Sequence, residues 1–288
     1  MNQPVDPKVD GLIRYRINLA YDGTAYFGWA KQAGRKTVQQ ALLNALTLVF
    51  GESTDDFAMR IAGRTDAGVH AFSQVAHIDV TPAQIKRLGR TKSIAGRLNS
   101  ILDRDIRIHS FEVAPPGFHA RFSATFRRYR FRIADGPVAK DPLQARYTLW
   151  ISHELDLHRM RDGAKEFIGL HDFNSFCKAR VGATTVRRMK SIKISRNQDL
   201  GGVIEIELIA DAFCHNMVRA IVGGLIAVAQ GSAERSDIAH VLKVAQDRAP
   251  FKVATPEGLT LIEIGYPADD KLEAQAEITR KRRQLDEN

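Results

Sequence analysis

The chain has 288 residues, 44% of them hydrophobic, and a formal charge of +9 from 42 Lys and Arg against 33 Asp and Glu. Such apolar content excludes a disordered chain, and the length supports a sizeable core without disulfides. A basic balance favours a polyanionic partner, although where the charge sits matters more than its sum.

In chain order, Ile13, Tyr15, Ile17, Leu19 and Tyr21 alternate with other residue types and predict a strand with one buried face, ended by the turn Asp22-Gly23-Thr24. Thr37 suits the N-cap of a helix that carries Val38, Leu42, Leu46 and Val49 inward, with Gly51 at its end. A strand over 74–80, a helix through Ile94, Leu98 and Ile101, and a strand over 106–113 follow. The strand predicted over 124–133 puts Tyr129, Phe131 and Ile133 on one face and Arg128, Arg130 and Arg132 on the other. Two prolines and a glycine make 134–146 a connector.

The second half restarts with a helix through Leu157, Met160, Ala164, Phe167 and Ile168, ended by Gly169. Strands over 186–194 and 203–209 precede a helix over 215–230 and a further one capped by Ser236. A strand over 259–266 closes the half, and the charged tail reads as a solvated or frayed helix. The division is therefore an N-terminal tail (1–12), an N-terminal half (13–133), a connector (134–153), a C-terminal half (154–267) and a charged tail (268–288). Each half mixes helices and strands in α+β order, which allows two similar sheets side by side.

Met1–Pro7 lacks a signal-peptide core and no apolar run reaches bilayer length, so a cytoplasmic protein without a membrane partner is expected. Cys177 and Cys214 form no Cys-x-x-Cys and are expected as free thiols. Neither they nor the nine histidines show metal-ligand spacing, so no metal is expected.

The chemistry centres on Asp66, in Gly63-Arg64-Thr65-Asp66-Ala67-Gly68-Val69-His70. Asp-Ala-Gly is also ordinary turn chemistry, and the residues alone leave both readings open. Arg64, two positions away in extended backbone, could hold the carboxylate ionised, and such a group can act as a nucleophile or base without a cofactor. Tyr129 could pack in the core or stack on a base, while Arg121, Arg127, Arg128, Arg130 and Arg132 offer guanidinium groups to phosphates. Arg219, on an otherwise apolar helix, must snorkel out or meet a buried anion. His171-Asp172-Phe173 suits a helix end better than an acid–base pair.

Taken together, these blocks resemble the tRNA pseudouridine synthase A family. The resemblance runs from about Ile13 to Pro267. It rests on Tyr21-Asp22-Gly23-Thr24 with Gly28-Trp29, Thr37-Val38-Gln39, the Asp66 segment, Phe118-His119-Ala120-Arg121-Phe122-Ser123-Ala124 and Arg128-Tyr129. His171-Asp172-Phe173, Met217-Val218-Arg219 with Gly223, Gly258-Leu259 and Tyr266-Pro267 complete it. Departures fall at Ala30, at Cys214 and at Phe251-Lys252-Val253-Ala254. The resemblance implies the pseudouridine synthase fold, two similar α/β halves with antiparallel sheets that form a central basic cleft. It implies isomerisation of uridine in the anticodon arm of tRNA by a homodimer that uses no cofactor. Asp66 is then the catalytic residue, Tyr129 stacks on the base, Arg219 competes with Arg64 for Asp66, and Leu259 lines the pocket. Arg121, Arg128 and Arg130 are expected at RNA phosphates. The sequence leaves open which atom Asp66 attacks first. The alternative is an RNA-binding or RNA-folding protein without catalysis. A methyltransferase would need a glycine-rich cofactor loop that Gly23 and Gly28 are spaced wrongly to form.

Overall fold

The computed structural model describes residues 11–89, 93–136, 140–178, 184–245 and 248–281. Among these lie ten strands: β1 (Ile13–Tyr21), β2 (Arg60–Ile61), β3 (His70–Val80), β4 (Ile106–Val113), β5 (Phe126–Ala134), β6 (Leu149–Trp150), β7 (Gly169–Asp172), β8 (Val186–Asn197), β9 (Val203–Ala210) and β10 (Leu259–Gly265). The α-helices are α1 (Val38–Phe50), α2 (Pro82–Arg87), α3 (Ile94–Asn99), α4 (Leu157–Ala164), α5 (Met217–Ala229), α6 (Arg235–Val244) and α7 (Leu272–Arg280).

The α+β expectation holds, and the sheets of the two halves are fused into one. Their order is β4-β1-β3-β10-β5-β9-β8-β7, with β2 beside β3 and β6 beside β5. The last strand makes the join: β10 runs parallel to β3 through Thr260 and Leu261 and antiparallel to β5. Gly258 allows it, because a Cβ there would stand 2.6 Å from the Arg132 carbonyl oxygen. The inward residues of β1 and β5, including Ile17, Leu19, Phe131 and Ile133, share one core with Leu42 and Leu46 of α1 and Ile221 and Leu225 of α5. No helix among the described residues is long and apolar enough to cross a membrane.

The long elements form where periodicity puts them. Thr37 caps α1 by accepting from the Gln40 amide, and Gly51 ends it at φ +90°. Other readings need correction. Glu234, not Ser236, caps α6, and its amide donates to the Asp237 carboxylate at 2.8 Å while the Asp237 amide donates to the Glu234 carbonyl. His171 and Asp172 end β7 rather than a helix, with Asp172 accepting from the Asn174 amide. The tail is not all solvated: Leu272 and Ala276 of α7 are buried. Residues 282–288 of that tail lie outside the described residues. Cys177 and Cys214 are not free thiols but a disulfide, with Cα atoms 5.7 Å apart. The two residues lie in separate loops, so no local spacing announces the pair.

Candidate active site

Asp66 sits in the loop between β2 and β3, and its backbone is fixed by the first half of the chain. The Trp29 amide donates to the Thr65 carbonyl at 3.1 Å, and the Gly68 amide donates to that of Tyr26 at 3.2 Å. The Gln74 side chain donates to the Gly63 carbonyl at 2.8 Å. Below these, the buried Tyr21 and Thr65 hydroxyls lie 2.8 Å apart. Burial pushes the Tyr21 hydroxyl up to about 12, against the opposing effect of its bonds to Thr65 and Gln74.

Two glycines make this contact possible. A Cβ on Gly23 would overlap the Val69 carbonyl oxygen, and one on Gly28 would stand 2.8 Å from that of Thr65. Gly28 also has φ +84°, a conformation that glycine adopts without cost to a side chain. The turn after β1 therefore presses directly on the Asp66 loop. Asp22 stabilises that turn, accepting from the Thr24 amide at 3.0 Å and its hydroxyl at 2.6 Å.

The Asp66 carboxylate, by contrast, is met from the second half. His215 Nε2 lies 3.2 Å from Oδ1 and Arg219 Nη1 3.6 Å from Oδ2. The Asp66, His215 and Arg219 side chains are 22%, 31% and 18% exposed, so the group is sheltered but reachable. Arg219 occupies the first turn of α5 and its Nε donates to the Ala254 carbonyl at 2.7 Å. The Ala254 amide returns a bond to the Arg219 carbonyl. Gly223 lets the 252–254 segment lie this close, since a Cβ there would overlap the Lys252 carbonyl.

Of the two arginines expected near Asp66, the structure brings Arg219. Arg64 is exposed and forms no ion pair with Asp66 among the described residues. Extended backbone would have aligned the two side chains, but the segment is an irregular loop rather than a strand. His215 was not singled out as a site residue. It precedes α5, and Asn216 at φ +68° stands between it and Arg219, so no helical spacing in the sequence announces the pair.

Tyr129 lies on the same side of the sheet, 6% exposed, with its hydroxyl toward Gly63 and its ring edge-on to Phe213 at 5.0 Å. Burial pushes its hydroxyl pKa up, and the charges of Tyr21 and Asp66 add to the rise. Leu261 pairs across from Tyr129, and Leu259, buried two residues earlier on the same face of β10, pairs with Phe131.

The arginine stripe lies on the face that alternation predicts, but it is not made of arginine alone. Arg128, Arg130 and Arg132 alternate with Tyr129 and so occupy the opposite face of β5. Strands β9 and β10 bring glutamates against them: Arg128 meets Glu263 at 3.2 Å, Arg130 meets Glu207 at 3.5 Å, and Arg132 meets Glu205 at 2.8 Å. A stripe that reads as arginine alone along one strand is charge-balanced across three. Arg127 is an internal strut, donating to the carbonyls of Asp211, Ala62 and Arg121. That leaves the Arg121 backbone beside the site and its side chain exposed. A cavity of about 560 Å³ on the arginine face is lined by Asp22, His70, Arg130 and Arg132 and does not include Asp66.

Comparison with known proteins gives consistent results. A family model described as tRNA pseudouridine synthase matches residues 18–123 and 164–267. A tRNA pseudouridine synthase A of Leifsonia xyli subsp. xyli is 43% identical, covering 96% of this chain and 99% of the relative. Proteins of the same name from Streptomyces avermitilis (43% identical, 99% of this chain, 98% of the relative) and Frankia casuarinae (45% identical, 94% and 96%) are similarly close. Among solved structures, a Cbf5-Nop10-Gar1 complex aligns at 11% identity over 89% of this chain and 60% of that one, with a TM-score of 0.34, too low to bear on the site.

Proposed function

Since the chain belongs to the tRNA pseudouridine synthase family, we propose that it isomerises uridine to pseudouridine in tRNA with Asp66 as its reactive carboxylate. The uracil leaves ribose C1′ at N1, turns, and is rejoined through C5. The C5 proton is lost and N1 gains one, so substrate and product have the same composition. Attack on C1′, addition to the ring and removal of a ribose proton each demand a carboxylate that is ionised, oriented and partly sheltered from water.

The observation that carries this reading is the Asp66 carboxylate held between His215 and Arg219, on the same side of the sheet as Tyr129. Tyr129 offers a flat ring to a base turned out of its stack, which compensates part of the lost stacking. Leu259 supplies an apolar edge beside it. We keep the two-half division, 13–133 and 154–267 joined by 134–153. In it Asp66 and Tyr129 come from the first half, and His215, Arg219 and Leu259 from the second. The reading extends to the anticodon arm as the region modified, to a homodimer as the working unit and to the cytoplasm as the compartment. Arg121 is proposed at a phosphate near the site. Phosphate contacts by Arg128 and Arg130 would belong to RNA passing over the opposite face, in exchange for their glutamates.

The relatives are named as synthases, and nothing in the site favours the non-catalytic alternative. Tritium release from tRNA labelled at uridine C5 tests the assignment. Wild type should release label and Asp66→Asn should not, while both bind tRNA. Equal release from the two proteins would remove Asp66 from the mechanism.

A further inference from the structure

We propose that His215 is a positioning residue for Asp66, holding the carboxylate oxygen that Arg219 does not. The inference rests on the reading of Asp66 as the reactive group and adds to it a second anchor. A carboxylate turns readily about its last side-chain torsion, whose preferences are broad and roughly two-fold. One partner on one oxygen leaves that rotation partly free. Partners on both oxygens restrict it further, and here His215 faces Oδ1 at 3.2 Å and Arg219 faces Oδ2 at 3.6 Å.

The surroundings of His215 are built to keep the ring in place. Its carbonyl accepts from the Lys178 amide at 2.9 Å. Its neighbour Cys214 is cross-linked to Cys177. On the other side, Asn216 adopts φ +68°, a left-handed turn that starts α5 directly after the ring. The Lys178 amide, the Cys177–Cys214 cross-link and the helix entrance thus converge on one residue whose ring points at Asp66. Because the hydrogen bonds from Trp29 and Gln74 and the one to Tyr26 that fix the Asp66 loop all come from the first half, His215 also ties the reactive oxygen to the second half. Misplacing a reacting group by about 1 Å can cost roughly a hundredfold in rate, so such an anchor is felt in the chemistry rather than in binding.

Three substitutions test it, each assayed for tRNA affinity, single-turnover tritium release and thermal unfolding. His215→Leu keeps bulk and loses the nitrogen; release should slow at least tenfold at unchanged tRNA Kd. His215→Gln places an amide nitrogen near the Nε2 position and should recover most of the rate. His215→Asn reaches only the Nδ1 position and should stay slow. A purely structural histidine would show recovery unrelated to this reach. A His215→Leu variant with the wild-type rate would overturn the proposal, as would a loss confined to tRNA affinity, or Asn restoring the rate as well as Gln. A general folding defect would lower the unfolding temperature of Leu and Gln alike, with no recovery by Gln, and that result also counts against it. Asp66→Asn, run in parallel, separates the two ideas. If it is active, the reading of Asp66 fails. If it is inactive while His215→Leu is fully active, only the present inference fails.

Discussion

Arg219 points Nη1 at Asp66 from 3.6 Å while its Nε donates to the Ala254 carbonyl at 2.7 Å. One planar guanidinium thus serves two partners on different faces of the site. Lysine has a single ammonium on a flexible stem and cannot reproduce both contacts. The Nε bond to the Ala254 carbonyl is a charge-assisted hydrogen bond worth about 1.5–3 kcal/mol, and losing that much placement of Nη1 in the transition state corresponds to a fall of roughly 10- to 100-fold in rate. Arg219→Lys should therefore lose at least tenfold in single-turnover tritium release despite its retained charge. A wild-type rate in this variant would mean that charge alone suffices and that the fork geometry is irrelevant.

The close approach of the β1 turn to the Asp66 loop makes a second prediction. Gly28 and Gly34 share a left-handed backbone, φ +84° and +69°, yet only Gly28 has a neighbour where a Cβ would go. An alanine at either position pays about 1–2 kcal/mol for the conformation. At Gly28 it must also push the Thr65 carbonyl away, and Asp66 is the next residue. Gly34→Ala should lower stability modestly and keep full activity. Gly28→Ala should lose more stability and, in addition, most of its rate. Denaturant midpoints and tritium release compare them. Equal activity in both variants would show that the contact does not position Asp66.

Tyr129 supplies a third prediction. Its role as a platform needs the ring and not the hydroxyl, so Tyr129→Phe should bind tRNA within about threefold of wild type. Removing the ring in Tyr129→Ala should weaken binding roughly tenfold, the scale of one base stacked on an aromatic side chain. Filter binding with unlabelled tRNA reads this independently of catalysis. If Phe binds as poorly as Ala, the hydroxyl and not the ring makes the contact.

Legibility in the sequence followed the range of the interactions. The alternation of β1 and β5 and the helical spacing of α1 and α5 are local consequences of burial, and they appear where the residues put them. Two-residue strands such as β2 and β6 carry no period and went unseen. The insertion of β10 between β3 and β5 depends on pairings that no single stretch encodes. At the site, residue types marked Asp66, Tyr129 and Arg219 for attention. The partner of Asp66 could not be chosen locally, because Arg64 is near in sequence and Arg219 near in space. The glutamate partners of the arginine face were hidden for the same reason. Glu205, Glu207 and Glu263 sit on other strands and come opposite the arginines only through register.

The last prediction concerns acid. His77 is 1% exposed, and its Nδ1 accepts from the Ala120 amide at 3.0 Å, a bond only the unprotonated nitrogen can receive. Burial pushes its pKa down to about 2, with the positive charges of Arg14, His119 and Arg60 adding to the fall. In the unfolded chain a histidine titrates near 6.5. Between those values the unfolded state binds a proton that the folded state refuses, so stability falls as pH falls. The contribution is fully present above about pH 6.5 and erodes by roughly 1.4 kcal/mol per pH unit below it. By pH 5 that is a loss of roughly 2 kcal/mol from this one residue. His77→Asn keeps an acceptor near the Nδ1 position and cannot protonate in this range. It should be less stable than wild type at pH 7.5 because it leaves space in the core, yet show a shallower decline between pH 6.5 and 5. Urea unfolding at several pH values measures both slopes, and the difference between them isolates His77 from the other histidines. Parallel curves for the two proteins would mean that His77 takes up its proton without unfolding, and that the Ala120 bond does not hold it neutral.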